Sequence, residues 1–203
     1  MSRARIRPTR DETRQRLFDA AAQVFESQGI GAASIEAIAE AAGFTRGAFY
    51  SNFASKDELI IAMLADHADR SARRNLALLA RYRDPVDFVA ALRTAEPDSE
   101  DPLDRSPLLH MEVILYVTRA PVYRPELAKR LRARRAVIAE IITATNQASG
   151  PDSYVDPSWA TMLLALEDGY RLHRLIDPAT TPEDSFLQAV QKLQQLAGLD
   201  QPS

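Results

Sequence analysis

Thr45, Arg46, Tyr50, Ser51 and Lys56 crowd five side-chain donors into one short stretch, and the residues between them include Gly47 and Ala48, which add almost no bulk. An arginine fork donates two parallel hydrogen bonds to a guanine edge, Thr and Tyr hydroxyls donate to phosphate, and a lysine at a helix start adds a cation beside free backbone N–H groups. The chemistry on offer is recognition of a polyanion with readable edges. Catalysis has no such constellation. The chain holds no cysteine, and its three histidines, His67, His110 and His173, fall outside any HxxxH or HExxH spacing, so a zinc site is not expected. Gly29-Ile-Gly31 needs a glycine where Ser34 stands to complete a dinucleotide fingerprint, and no Walker lysine motif or GxSxG elbow occurs. Adjacent carboxylates, Asp57-Glu58 and Glu167-Asp168, point to different helix faces and read as caps or solvated faces. No catalytic residue, metal or cofactor is therefore expected, and the chain does not read as an enzyme.

The elements that must hold the donors are helices. Apolar positions recur at three and four nearly throughout, without strand-length alternation, so the fold class is all-α. Thr9 and Glu12 have the capping-box spacing, Leu17, Phe18, Ala21, Val24 and Phe25 form an apolar stripe, and Gly29 suits a left-handed cap, which predicts a helix over about 10–28. Ser34 can cap a short helix ended by Gly43, Thr45 caps another over about 46–52, and Ser55 with Glu58 opens a long one to about Arg81. Proline-bounded segments predict further helices over about 85–95, 107–119, 124–148, 157–176 and 182–197, with the acidic EPDSEDPLDRSP (96–107) among the breaks.

A helix ended at Gly43, a turn through Phe44 and a new helix capped at Thr45 make a helix-turn-helix pattern, whose second helix enters the major groove. On that helix Phe49 and Phe53 share the face that packs on Ile35, Ile38 and Phe44, while Gly47 and Ser51 point away and Arg46, Tyr50 and Ala48 flank the bare side. Spacing alone also permits a plain helical corner with Tyr50 half-buried and Arg46 solvated.

Charge supports a localised anionic partner. Residues 1–56 carry eight Lys/Arg against six acids, whereas the remainder carries 17 against 22, within a chain of net charge −3. A solvated arginine tail explains the same numbers. The longest apolar run, Leu59 to Ala65, is far short of a membrane span, and the basic N-terminus lacks an apolar signal region, so a cytoplasmic protein is expected.

VFESQGIGAASIEAIAEAAGFTRGAFYSNFASKDEL (24–59) resembles the N-terminal module of the TetR family of bacterial transcriptional repressors. The likeness runs through Phe25, Gly29, Ser34, Ile38-Ala39, Ala42-Gly43, Gly47, Tyr50, Phe53, Lys56 and Leu59. It implies that Thr45, Arg46, Ala48, Tyr50, Ser51 and Lys56 lie at the DNA and that the helix start at Ser34 touches phosphate. Asn52 stands where many members carry histidine, a departure that bears on base preference there. ALEDGYRLHRLIDP (165–178) is similar to the penultimate helix of many members, which forms a dimeric four-helix bundle with the last.

Trp159, Leu163 and Leu166, with the stripe Phe186, Val190, Leu193 and Ala197, are the expected dimer interface; ordinary intramolecular packing is the alternative. Phe88, His110, Met111, Tyr116, Trp159 and Tyr170 mix apolar bodies with polar tips, as a small-molecule pocket does, though a plain core has the same composition. The resemblance implies that such a pocket exists. The expectation is a helix-turn-helix DNA-binding domain at 1–54 and an effector-binding and dimerisation domain at 55–203, working as a homodimer on an operator. A helical adaptor for a protein partner, or a small helical enzyme, are the rival classes.

Overall fold

The computed structural model describes residues 8–82, 84–149 and 155–196. Among them are ten α-helices and no strand: α1 (Arg10–Gln28), α2 (Ile35–Ala41), α3 (Arg46–Tyr50), α4 (Lys56–Arg81), α5 (Pro85–Arg93), α6 (Pro102–Arg105), α7 (Pro107–Arg119), α8 (Arg124–Ser149), α9 (Trp159–Ile176) and α10 (Ser185–Leu196). A 3-10 turn, Pro121–Tyr123, links α7 to α8.

The helix starts follow the capping chemistry. Thr9 Oγ1 accepts from Glu12 N at 3.2 Å while the Glu12 carboxylate accepts from Thr9 N at 2.8 Å, a complete capping box on α1. Ser34 Oγ accepts from Ala37 N and Thr45 Oγ1 from Ala48 N, so α2 and α3 each begin at the expected residue. At α4 the box is displaced by one residue: Ser55 Oγ accepts from Glu58 N, but the Glu58 carboxylate accepts from Ala54 N. Gly29 and Gly43 have φ of 77° and 72°, a region closed to most side chains, and each lets the chain turn where its helix stops.

EPDSEDPLDRSP is not merely a break. Asp101 caps α6 by accepting from Leu103 N at 2.9 Å, and Leu103 is 1% exposed. Asp followed by Pro is read as a breaker, yet proline at the first helical position after an Asp cap is equally a way to start a helix.

Two compact units emerge. One comprises Met1–His67 with Pro97–Arg124, the other Ala68–Glu96 with Pro125–Ser203. In the first, α1 packs on α2, α6 and α7, and α2 packs on α3. Its core includes Leu17, Phe25, Ile38, Phe49, Phe53, Leu59, Ile60 and Met63, all essentially inaccessible. Phe53 bridges the aromatic set, 5.7 Å from Phe18 and 5.9 Å from Phe49, with the Arg14 guanidinium 4.6 Å from its ring centre. In the second unit α10 packs on α5 and α9, around a core of Phe88, Val89 and Ile141.

Candidate nucleic-acid interface

Three anchors hold α3 in place. Phe49 is buried at 0% exposure, Phe53 just beyond the helix at 1%, and the Phe44 N–H donates to Ala39 O at 2.8 Å, closing the turn from α2. With the aromatic side inward, Thr45, Arg46, Gly47, Tyr50 and Ser51 are exposed and Ala48 is half-buried. A Cβ built on Gly47 would meet only Thr45 Oγ1, at 3.7 Å. Nothing inside the fold therefore demands glycine at 47. The lack of a side chain at this exposed position is what close approach of another molecule requires.

Arg46 and Tyr50 form the polar rim. Arg46 Nη1 lies 3.0 Å from Glu36 Oε1 on α2, and Nη2 donates to Tyr50 Oη at 3.3 Å. The hydrogen bond with Tyr50 first, and the Glu36 charge second, hold the guanidinium above its usual pKa. Ser51 Oγ donates to Gly47 O at 2.9 Å. Asn52 turns away from the rim: its Nδ2 donates to Ala48 O at 2.9 Å, tying off the end of α3.

Lys56 has a structural duty that charge counting missed. Its Nζ donates to the carbonyls of Ile30, Gly31 and Ala33 at 2.6, 3.3 and 2.8 Å, which occupies all three ammonium donors. It thereby fastens the α1–α2 loop, and the Ser34 cap just beyond it, to the start of α4. Asp57, read from sequence as a cap or solvated acid, accepts from Tyr116 Oη at 2.9 Å and Tyr123 Oη at 3.1 Å. Burial first, then the bond to Asp57, pushes the Tyr116 phenol up to about 12 and the Tyr123 phenol upward.

A model of the tetR family of bacterial regulatory proteins matches residues 17–63, the stretch that builds this surface, and a model of the tetracyclin repressor-like C-terminal domain matches residues 83–196, more than half of the chain. The chain belongs to the TetR family. The transcriptional regulator SrpR of Pseudomonas putida is 51% identical over 55 residues, which span 27% of this chain and 26% of SrpR. The repressor KstR2 of Mycobacterium tuberculosis H37Rv is 38% identical over 77 residues, 38% of this chain and 35% of KstR2. The chain thus spans only about a quarter to a third of these relatives' lengths in the matched stretch. A solved SmeT–triclosan complex shares the fold across 94% of this chain and 95% of its own, with TM-score 0.70 at 21% identity.

The other residues singled out from the TetR-family sequence fall in different places. His110, Met111 and Tyr116 belong to the first unit, Phe88, Trp159 and Tyr170 to the second. Phe88 lies in the second unit's core with Val89 and Ile141. His110 is buried with its ring centre 4.3 Å from that of His67, whose Nδ1 is 2.7 Å from Asp101 Oδ2, a buried polar set that wide sequence separation concealed. Trp159, Leu163, Leu166, Phe186 and Leu193 are half-buried, and Ala197 lies outside the described residues. Val190 packs on the Phe88–Val89–Ile141 core of its own chain. Large apolar residues left exposed on α9 are Met162, Leu172, Leu175 and Ile176.

Glu167 is not a solvated acid. Arg134 and Arg171 reach its two oxygens at 2.7 and 2.8 Å, joining α8 to α9, and burial holds the neighbouring Asp168 carboxyl above its usual range despite Arg134. Among the described residues no group of His, Cys, Asp or Glu is placed to hold a metal ion, and no helix is long and apolar enough to cross a membrane.

Proposed function

We propose that this TetR-family chain is a ligand-responsive transcriptional repressor, a homodimer that binds a palindromic DNA operator and changes the spacing of its two heads when a small molecule binds. The observation that carries the reading is α3: a bare outward face at Gly47 and Ser51 rimmed by Arg46 and Tyr50. Residues 1–54 serve as the DNA-binding domain and 55–203 as the effector-binding and dimerisation domain. Arg46 reads a base edge, while Thr45, Tyr50 and the helix start at Ser34 meet phosphates; Ser34 and Thr45 use an oxygen lone pair for capping and keep the hydroxyl proton for a phosphate oxygen. Lys56 supports that surface from behind and adds its positive charge to it.

The exposed apolar residues of α9 support a seam between two copies, with the half-buried Trp159, Leu163, Leu166, Phe186 and Leu193 flanking it. Two heads must meet successive major-groove faces about 34–36 Å apart, so a few ångströms of displacement at each forfeits both half-sites. The triclosan held by SmeT supports a small organic effector for this chain too. The protein works in the cytoplasm, and no catalytic step is assigned to it.

Footprinting on DNA upstream of its own gene, across a salt series, tests the reading. A protected palindrome whose affinity falls steeply with salt is expected. Binding that ignores sequence, or no binding at low salt, would reject it.

A further inference from the structure

Glu36 sits on the same exposed surface as the DNA-facing donors, 56% exposed at its side chain, and a carboxylate there repels every phosphate that approaches. Its partner Arg46 is 62% exposed, and surface pairs of this kind add little to folding. Stability thus gives little reason for the pair. Its geometry gives another. An unrestrained arginine on its long stem satisfies any phosphate within reach, because non-specific attraction is isotropic. Arg46 is instead held from two sides, by Glu36 at 3.0 Å and by the Tyr50 hydroxyl at 3.3 Å, with its guanidinium carbon 5.4 Å from the Tyr50 ring centre. The Tyr50 contact engages one of the five N–H groups, the Glu36 contact holds the guanidinium by charge, and the remaining N–H groups are left for another acceptor.

We propose that Glu36 is a specificity-determining positioning residue, which aims Arg46 at a guanine edge and withholds it from phosphates. The inference rests on the reading that α3 faces DNA. It has a two-sided consequence: Glu36 lowers affinity for DNA in general while sharpening the choice among sequences. A merely structural residue does not move these two quantities in opposite directions.

Selection of double-stranded DNA from a random pool by the full-length protein, with E36A and R46A beside it, tests the proposal, and thermal unfolding of each variant monitors the fold. Wild type is expected to enrich a motif, R46A to lose base preference at particular positions, and E36A to lose it at those same positions. On a scrambled duplex E36A should bind about 3- to 10-fold more tightly, with a salt slope steeper by up to about one ion. In the R46A background, adding E36A should leave the motif unchanged. The proposal falls if E36A keeps the preference that R46A loses, if R46A loses none, or if E36A weakens selected and scrambled DNA alike. No enrichment by wild type would overturn the DNA reading itself along with the proposal.

Discussion

Lys56 and Asp57 are consecutive residues that fasten the start of α4 to two different parts of the first unit. Lys56 Nζ bonds the carbonyls of Ile30, Gly31 and Ala33, between α1 and α2, whereas Asp57 accepts from Tyr116 of α7 and Tyr123 of the turn that follows it. One helical turn is therefore shared by the loop that leads to α2 and α3 and by a distant part of the chain.

Lys56→Ala is expected to lower stability without DNA present. Losing a charged donor to three carbonyls should cost about 1–3 kcal/mol, read from urea unfolding of the free protein. A variant as stable as wild type, with only weaker DNA binding, would make Lys56 a phosphate contact and nothing more.

The Tyr116 phenol should ionise far above free tyrosine. The neutral phenol donates to Asp57, so its contribution to stability is complete below the usual value of 10.0 and disappears as pH rises through about 12. Tyrosinate absorbance against pH should show a late step that Tyr116→Phe removes. Because burial outweighs the Asp57 bond among the causes, Asp57→Asn should bring that step down only part of the way.

Gly47→Ala should separate folding from binding. The added methyl has only ordinary contact inside the fold, and alanine is the better helix former by about 1 kcal/mol, so the unfolding midpoint should hold or rise. Against a groove floor the same methyl is overpacking, at about 1–3 kcal/mol, so operator affinity measured by mobility shift should fall about 10-fold or more. Undiminished affinity would move the interface off this face.

On the second unit, Leu172→Glu and Val190→Glu should fail differently. Leu172 is 45% exposed on α9, so its variant should fold normally and sediment as a monomer. Val190 packs on Phe88, Val89 and Ile141, and a carboxylate there should cost about 2–4 kcal/mol of unfolding free energy. If Leu172→Glu remains a dimer at micromolar concentration, the seam lies elsewhere.

What could be read in the sequence was local. Thr9 with Glu12, Ser34, Thr45, Gly29 and Gly43 act on chain within four residues of themselves, and the structure has each in the capping or turning position that its chemistry prefers. Whatever depended on remote partners was not legible. Lys56 finds its carbonyls 23 to 26 residues away, His67 finds Asp101 at a separation of 34, and Asp57 finds its tyrosines at 59 and 66. Periodicity showed that Val190 belongs to an apolar face; it had no means of telling whether that face meets its own chain or a second copy. The acidic proline segment failed for a further reason, since Asp101 and Pro102 are compatible both with stopping a helix and with starting one.

α3 has five residues, far fewer than the dozen or so an isolated helix needs in water. Its shape comes from Phe49, Phe53 and the turn through Phe44, not from its own hydrogen bonds. A synthetic peptide of 43–54 would consequently not keep the helix, whose place depends on the first unit, where α2 packs on α3 and α1 packs on α2, α6 and α7. On the proposed reading, a new operator preference calls for exchanging side chains at 46, 47 and 50 while leaving the packing that holds the helix untouched.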